Sequence, residues 1–317
     1  MFLLRCFIVS ILSVFFIKNA DAQCFGSPGN PVAGSANLGV LVKKTFRTIA
    51  FYKHADLASY RRGDVKTPYQ YIKSANYNYT GFNLGYGLTD KISLDSDIGY
   101  YINKTQHYAI ADFSHNGYGL SNASVGAKYN FYLDNFKKVE YTAGLSAKLP
   151  LKLEPLIIDG VVLPIDVQPS TGNFGLIAQS FFVKQFPEKS VRFIVINRYE
   201  KNFNENRQGY TFGDAFLSSV FVSKHLWLSW TSAFKDVTAI LQVRHEYRDR
   251  NKNFGNTVVN SGSNLVYVSP QINYNLKELW NISVIVDIPC YQYFNGLQLS
   301  NKWAYSLSIT RDFGFKH

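Results

Sequence analysis

The stretch Trp280-Asn281-Ile282-Ser283-Val284-Ile285-Val286-Asp287-Ile288 places Trp280, Ile282, Val284, Val286 and Ile288 on one side of an extended chain. Asn281, Ser283 and Asp287 take the other side, together with Ile285. Side chains alternate in a strand with period two, so this reads as a strand with one oily face and one largely polar face. A soluble sandwich would bury the oily face against a second sheet. A polar opposite face instead suits lipid on one side and a wet interior on the other.

Working outward, Val266, Val268, Ile272, Tyr274 and Leu276 oppose Tyr267, Ser269, Gln271, Asn273 and Asn275. Val237, Ala239, Leu241, Val243 and Tyr247 oppose Thr238, Gln242, Arg244, Glu246 and Arg248. Earlier, Ile92, Leu94, Ile98, Tyr100 and Ile102 oppose Ser93, Asp95, Asp97 and Asn103, and Ala123, Val125, Ala127, Tyr129 and Phe131 oppose Asn122, Ser124, Lys128 and Asn130. The last segment alternates Trp303, Tyr305, Leu307, Ile309, Phe313 and Phe315 with Ala304, Ser306, Ser308, Thr310 and Asp312, an aromatic-ended strand of the kind barrel assembly machinery reads. Residues 37–54 and 173–186 carry no clear orientation.

The breaks alternate in length. Short ones fall at Thr89-Asp90-Lys91, Asp134 to Lys138, Pro187 to Ser190, near Lys235-Asp236 and at Lys277-Glu278; long ones at Ala55 to Gln70, Gln106 to Gly117, Leu151 to Gly172, Asn202 to Gly209, Asn251 to Ser261 and Asn295 to Lys302. Short turns facing the periplasm and long loops facing outward are the habit of outer-membrane barrels. The expected fold is all-β: a transmembrane antiparallel up-and-down barrel of about twelve strands, with both termini periplasmic. Residues 212–234 are long for one strand, and a hairpin at Lys224-His225 would make fourteen. Within the loop Leu151 to Gly172, Asp159-Gly160 between two apolar runs predicts a hairpin; extension of the strands beyond the membrane is favoured over folding inward.

Residues 1–22 read as an export signal, with Arg5, an apolar run from Cys6 to Ile17, and Ala20-Asp21-Ala22 before Gln23. Asp21 and Gln23 fit poorly with an acyl chain on Cys24. Residues 23–36 form an irregular segment, a candidate plug, and 37–317 the barrel. Beyond the leader no apolar run is long enough for a spanning helix, although 46% of residues are hydrophobic and 16% aromatic, with 22 Tyr and 25 Phe. Such aromatic content suits strands and interfacial girdles.

The formal charge is +11, and about +10 once Arg5, Lys18 and Asp21 leave with the leader. No basic block resembles a nucleic-acid arm, and export points to outer-membrane lipid, lipopolysaccharide and small anionic solutes as partners. Cys24 and Cys290 remain after the leader, either bridged or incidental. No metal motif is present, and no cofactor is implied.

If the alternation holds, Lys128, Lys148, Arg192, Arg198, Arg244 and Arg248 point into the lumen, with Asp95, Asp97, Glu200, Glu246, Asp287 and Asp312. Rows of basic groups favour anions in a narrow pore. The bland counterpart is a filled barrel in which charges brace one another, as Arg244 with Glu246 on neighbouring strands would. Arg61, Arg62 and Lys66, and Arg248, Arg250 and Lys252, read as outer-loop cations for lipopolysaccharide phosphates. Ser114-His115-Asn116 only faintly matches an outer-membrane lipase, and Asp95 with Asp97 lacks the His partner of a rim protease, so no catalytic residue is expected.

Several segments resemble outer-membrane barrels of the phenol-degradation meta-pathway transporter type, especially Bacteroidetes relatives. They are Gly29-Asn30-Pro31-Val32-Ala33-Gly34 after Cys24; Lys148-Leu149-Pro150 followed by Asp166-Val167-Gln168-Pro169-Ser170-Thr171-Gly172; Tyr267-Val268-Ser269-Pro270; and Pro289-Cys290-Tyr291-Gln292 with Asn295-Gly296-Leu297-Gln298-Leu299. The resemblance implies a Gram-negative outer-membrane channel or porin-like transporter for small solutes. The alternative is a non-conducting structural or surface-binding barrel.

Overall fold

The computed structural model describes residues 39–109, 113–226, 236–276 and 280–314. In chain order the strands are β1 (Thr45–Gly63), β2 (Val65–Thr67), β3 (Ile72–Gly87), β4 (Ile92–Tyr108), β5 (Ser114–Leu120), β6 (Asn122–Asp134) and β7 (Val139–Pro150). There follow β8 (Ile157–Ile158), β9 (Val161–Val162), β10 (Gly175–Phe186), β11 (Val191–Asn202), β12 (Tyr210–Thr211) and β13 (Ala215–Leu226). The chain ends in β14 (Val237–Arg248), β15 (Lys252–Asn253), β16 (Asn256–Thr257), β17 (Ser263–Leu276) and β18 (Trp280–Gly314).

Eleven of these form one antiparallel ring in the order β1, β3, β4, β6, β7, β10, β11, β13, β14, β17, β18, and β18 closes back on β1. The 35-residue β18 pairs with β17 from Leu276↔Trp280 to Ser263↔Phe294, and with β1 from Arg62↔Leu297 to Thr45↔Gly314. It therefore doubles back at Asn295-Gly296 and supplies two staves, giving a twelve-stave barrel. Closure matters because an unpaired N–H or C=O facing hydrocarbon costs several kcal/mol.

The short connections and the ends Thr45 and Gly314 lie at one rim, the long connections at the other, as the turn lengths predict. Strand β13 runs unbroken through Lys224 and His225, so the hairpin that would make fourteen strands is absent at that point. Three long breaks are shorter than expected. Strand β1 continues past Ala55 to Gly63, turning only then into β2, and β4 continues past Gln106 to Tyr108. The break expected over Asn295 to Lys302 is strand apart from one turn, where Gly296 adopts φ +72°, a conformation open to glycine. Bulges hide these extensions: register shifts at Asp56/Leu57 and Leu57/Tyr60 break the period of two.

Outward positions such as Leu241, Val243, Ile272 and Val284 are exposed on the outer wall, where lipid meets them. Arg311 lies over Trp280 and Phe313 near the short-turn rim, 4.5 and 4.8 Å from the ring centroids, and Trp303 stacks on Tyr305 toward the other. These are the two girdles of a spanning barrel. One predicted orientation is wrong. Residue Ile102 is a bulge between the pairs Tyr79↔Tyr101 and Asn78↔Asn103, so Asn103 moves to the outer wall beside Asn78, and Lys104 takes the inward place opposite Tyr77.

Candidate functional site

The lumen is packed rather than evenly wet. Phe51, Leu57, Tyr60, Tyr77, Tyr79 and Tyr101 fill the β1–β4 side, and Phe181, Ile194, Ile196, Phe221 and Ile240 the β10–β14 side. Between them runs an ion-paired belt. Lys53 Nζ is 3.3 Å from Asp287 Oδ2, Arg244 Nη1 3.1 Å from Asp287 Oδ1, and Arg244 Nε 2.8 Å from Glu246 Oε1. Ser269 Oγ donates to Asp287 at 2.6 Å, and the Arg244 guanidinium lies 4.5 Å from the Tyr267 ring centroid. Arg248 extends the belt to Glu246 at 3.8 Å. A second cluster joins Lys148 Nζ to Glu200 Oε1 at 2.6 Å and Arg198 Nη2 to Glu200 Oε2 at 3.3 Å.

Period-two alternation in β14 aims Arg244, Glu246 and Arg248 inward together. The Arg244–Glu246 pair thus forms within one strand and not, as expected, between neighbours. Among the described residues, five cations here face three carboxylates. Most of these side chains are nearly sealed, but Arg198 and Arg248 retain 17% and 19% of their side-chain exposure and so keep water contact.

Of the other predicted lumen charges, Lys128 pairs with Asp95 at 3.2 Å, and Asp97 accepts from Ser124 at 2.6 Å and from Asn83. Arg192 lines a cavity of about 520 Å³ at the periplasmic rim, with Leu41, Glu140, Gln185, Arg47 and Asp312. There Arg47 grips Asp312 with two hydrogen bonds of 2.6 Å. Arg248 belongs to the lumen and drops out of the outer-loop cations. Lys53 escaped the sequence reading because β1 mixes Arg47, Ile49, Phe51, Lys53 and Ala55 on one face, leaving no polar contrast to detect.

At the outer rim the loop 151–174 does not extend the strands. Strands β8 and β9 form the predicted hairpin, with Asp159 at φ +51° and Gly160 at φ +77°, but pair with no barrel strand. The loop folds inward because it has a core of its own in Leu156, Leu163 and Val167. The Gln168 side chain accepts from Leu156 N at 2.7 Å and donates to Leu163 O at 2.7 Å. Lumen-facing Lys104 donates to Gln168 O at 3.0 Å, while Asn122 accepts from Ser170 and Thr171. The result is a cap over the mouth. His115 bonds Tyr108 at 3.0 Å, not Ser114. Cys290 is a free, exposed thiol; Cys24 and the proposed segment 23–36 lie outside the described residues.

This closed ring, with ion pairs packed among aromatic side chains inside and apolar side chains outside, decides the architecture. The fold is that of the outer-membrane β-barrels. The COG4313 outer membrane channel from Pseudomonas putida F1 aligns with TM-score 0.69 at 11% identity, over 89% of this chain and 100% of that one. The β domain of the Bordetella autotransporter BrkA aligns with TM-score 0.51 at 9% identity, over 86% of this chain and 100% of that one. The KdgM porin in complex with disordered oligogalacturonate aligns with TM-score 0.43 at 10% identity, over 84% and 99%. No family model matches the chain, and no curated protein matches it.

Proposed function

We propose that this barrel is a non-enzymatic channel through which small solutes cross the outer membrane by passive diffusion, with a preference for anions. The observation that carries this reading is the imbalance of the belt among the described residues, five cations to three carboxylates, with Arg198 and Arg248 the members that retain side-chain exposure. Fixed cations lining a narrow path attract anions and repel cations. The meta-pathway-type resemblance supports it. Its segments Lys148 to Pro150 and Asp166 to Gly172 fall on one end of β7 and on the anchors of the cap, positions that shape the outer mouth. Lipopolysaccharide phosphates are the partner proposed for Arg61, Arg62 and Lys66 on the outer β1–β3 connection, and the barrel assembly machinery for the aromatic last strand.

Single-channel recording of the refolded protein in planar bilayers under a KCl gradient tests the reading. Discrete openings with a reversal potential on the anion side are expected, and Arg198→Gln with Arg248→Gln should move that potential toward the cation side. A folded barrel that never conducts would leave the sealed members of the belt as bracing and assign the protein a structural or surface-binding role.

A further inference from the structure

Between the belt and the periplasmic rim, the inward face of β17 carries Ser269, Gln271, Asn273 and Asn275 in succession. Amides and hydroxyls link up at both ends of this strip. At the belt end Gln271 donates to Gln242 Oε1 at 2.8 Å, and Gln242 donates to Ser219 Oγ at 3.1 Å. At the rim end Ser283 donates to Asn281 Oδ1 at 3.2 Å, and Asn281 donates to Asn275 Oδ1 at 2.6 Å. Asn273 stands between the two chains, in register with Ser283 of β18 on one side and Thr238 of β14 on the other, and joins neither. Thr238 bonds the His225 ring instead, at 3.3 Å.

Asn273 is only 1% exposed, and among the described residues neither its amide nitrogen nor its amide oxygen has a hydrogen-bond partner. The same holds for the amide oxygen of Gln271, one inward position away, and for Ser308 Oγ on the second half of β18. Ser308 lies one inward position nearer the rim than Ser306, the register partner of Lys53 in the belt. Buried polar groups are nearly always paired, and an orphan costs more than a made hydrogen bond returns. Packing does not demand these groups, because Ile240 and Ile285 are buried on the same wall at this depth. An amide presents a donor and an acceptor side by side; a hydroxyl group, itself donor and acceptor, answers both, whereas an ionised carboxylate only accepts. Thr310 and Asp312 follow Ser308 on the inward face, and Asp312 with Arg47 walls the cavity of about 520 Å³ at the periplasmic rim. The strip therefore leads from the belt to that cavity.

We propose that this strip is a route shared by water and solute between the belt and the periplasmic cavity, and that Asn273, with Gln271, hydrogen-bonds the hydroxyl groups of the solute. The solutes are then small hydroxylated organic anions, whose carboxylate answers to the cations of the belt and whose hydroxyls answer to the strip. This names a solute class for the channel proposed above and rests on that reading.

Two measurements on the refolded full chain test it. The first needs no conduction: with every native cysteine replaced by serine, Asn273→Cys and the nearly isosteric Ser308→Cys should each take up a small hydrophilic methanethiosulfonate, read as a mass increase. Ile194→Cys, in the apolar β10–β14 cluster, should not. The second is the bi-ionic reversal potential in planar bilayers with sodium glycerate against sodium propionate, the same three-carbon carboxylate without hydroxyls. Glycerate should be the more permeant, and Asn273→Leu should lower the glycerate-to-propionate permeability ratio about fivefold, the worth of one net hydrogen bond. Asn264→Leu, which removes an outer-wall partner of His245, should leave the ratio unchanged. Unreactive cysteines at both positions in folded barrels, or a ratio that Asn273→Leu does not move, would overturn the inference, and a barrel that still passes anions would keep the channel reading. A barrel that never conducts would overturn the channel and the route with it, whatever the labelling shows.

Discussion

Arg244 and Asp287 are each sealed to 2–3% side-chain exposure and hold each other directly. Arg244→Ala would leave Asp287 with only Lys53 and Ser269, and Glu246 with the long contact to Arg248. Removing one partner of a buried pair costs on the order of 3–5 kcal/mol, since the other charge stays buried. Urea unfolding of the detergent-refolded barrel should register that loss, and the double change Arg244→Ala with Asp287→Ala should cost less than the sum of the singles. Additive losses would mean the two charges do not interact. Asp166 behaves oppositely. Loss of bulk water pushes its carboxyl up from the ordinary value, with Lys104 pulling it back, and the phenols of Tyr60, Tyr108 and Tyr210 are the other titratable groups that feel it. A raised acid in the folded state destabilises while ionised, so the protein should gain stability as pH falls through the folded value toward the unfolded one. Asp166→Asn should abolish that trend in thermal midpoints repeated across pH.

At the scale of elements, the cap is set by one close approach. A Cβ on Gly117 of β5 would lie 1.7 Å from the backbone oxygen of Val167, and backbone on both sides cannot yield as a flexible side chain would. Gly117→Val should lift the cap off β4 and β5, breaking the bond from Lys104 to Gln168 O; larger single-channel conductance and faster protease cleavage within residues 151–174 are expected. Unchanged conductance with the loop cleaved would mean the cap does not restrict the path. The hairpin inside this loop was legible in Asp159-Gly160, as were the oily outer faces of β14, β17 and β18, because a half-lipid, half-lumen strand must alternate. The direction in which the hairpin folds was not legible, since Leu156, Leu163 and Val167 serve equally well for a local core or an extended strand. Nor was Lys53, whose inward face is mostly apolar, nor Lys104, whose phase is reset by the bulge at Ile102. Period two reads strands only between bulges.

For the whole molecule, the twelve-stave ring depends on one seam, the register from Thr45↔Gly314 to Arg62↔Leu297 between β1 and the second half of β18. Without it two edges would face hydrocarbon unpaired, and residues such as Leu57 and Leu299, packed in the same cluster across the seam, would lose their cover. Deleting residues 297–317 should therefore abolish the compact, heat-modifiable form on semi-native gels. That loss alone could reflect a missing chain end rather than a missing seam, and a circular permutant tells them apart. Thr45 and Gly314 are register partners at one rim, so a short linker can join them, and the chain can be reopened in the turn Pro187–Lys189 at the same rim. The permutant keeps every pairing of the ring while changing which strands are terminal. It should refold in detergent to the same heat-modifiable form and the same conductance as the parent if closure is what the sequence specifies. Failure of the permutant with retention by the truncated chain would place the stability in chain order and not in the ring.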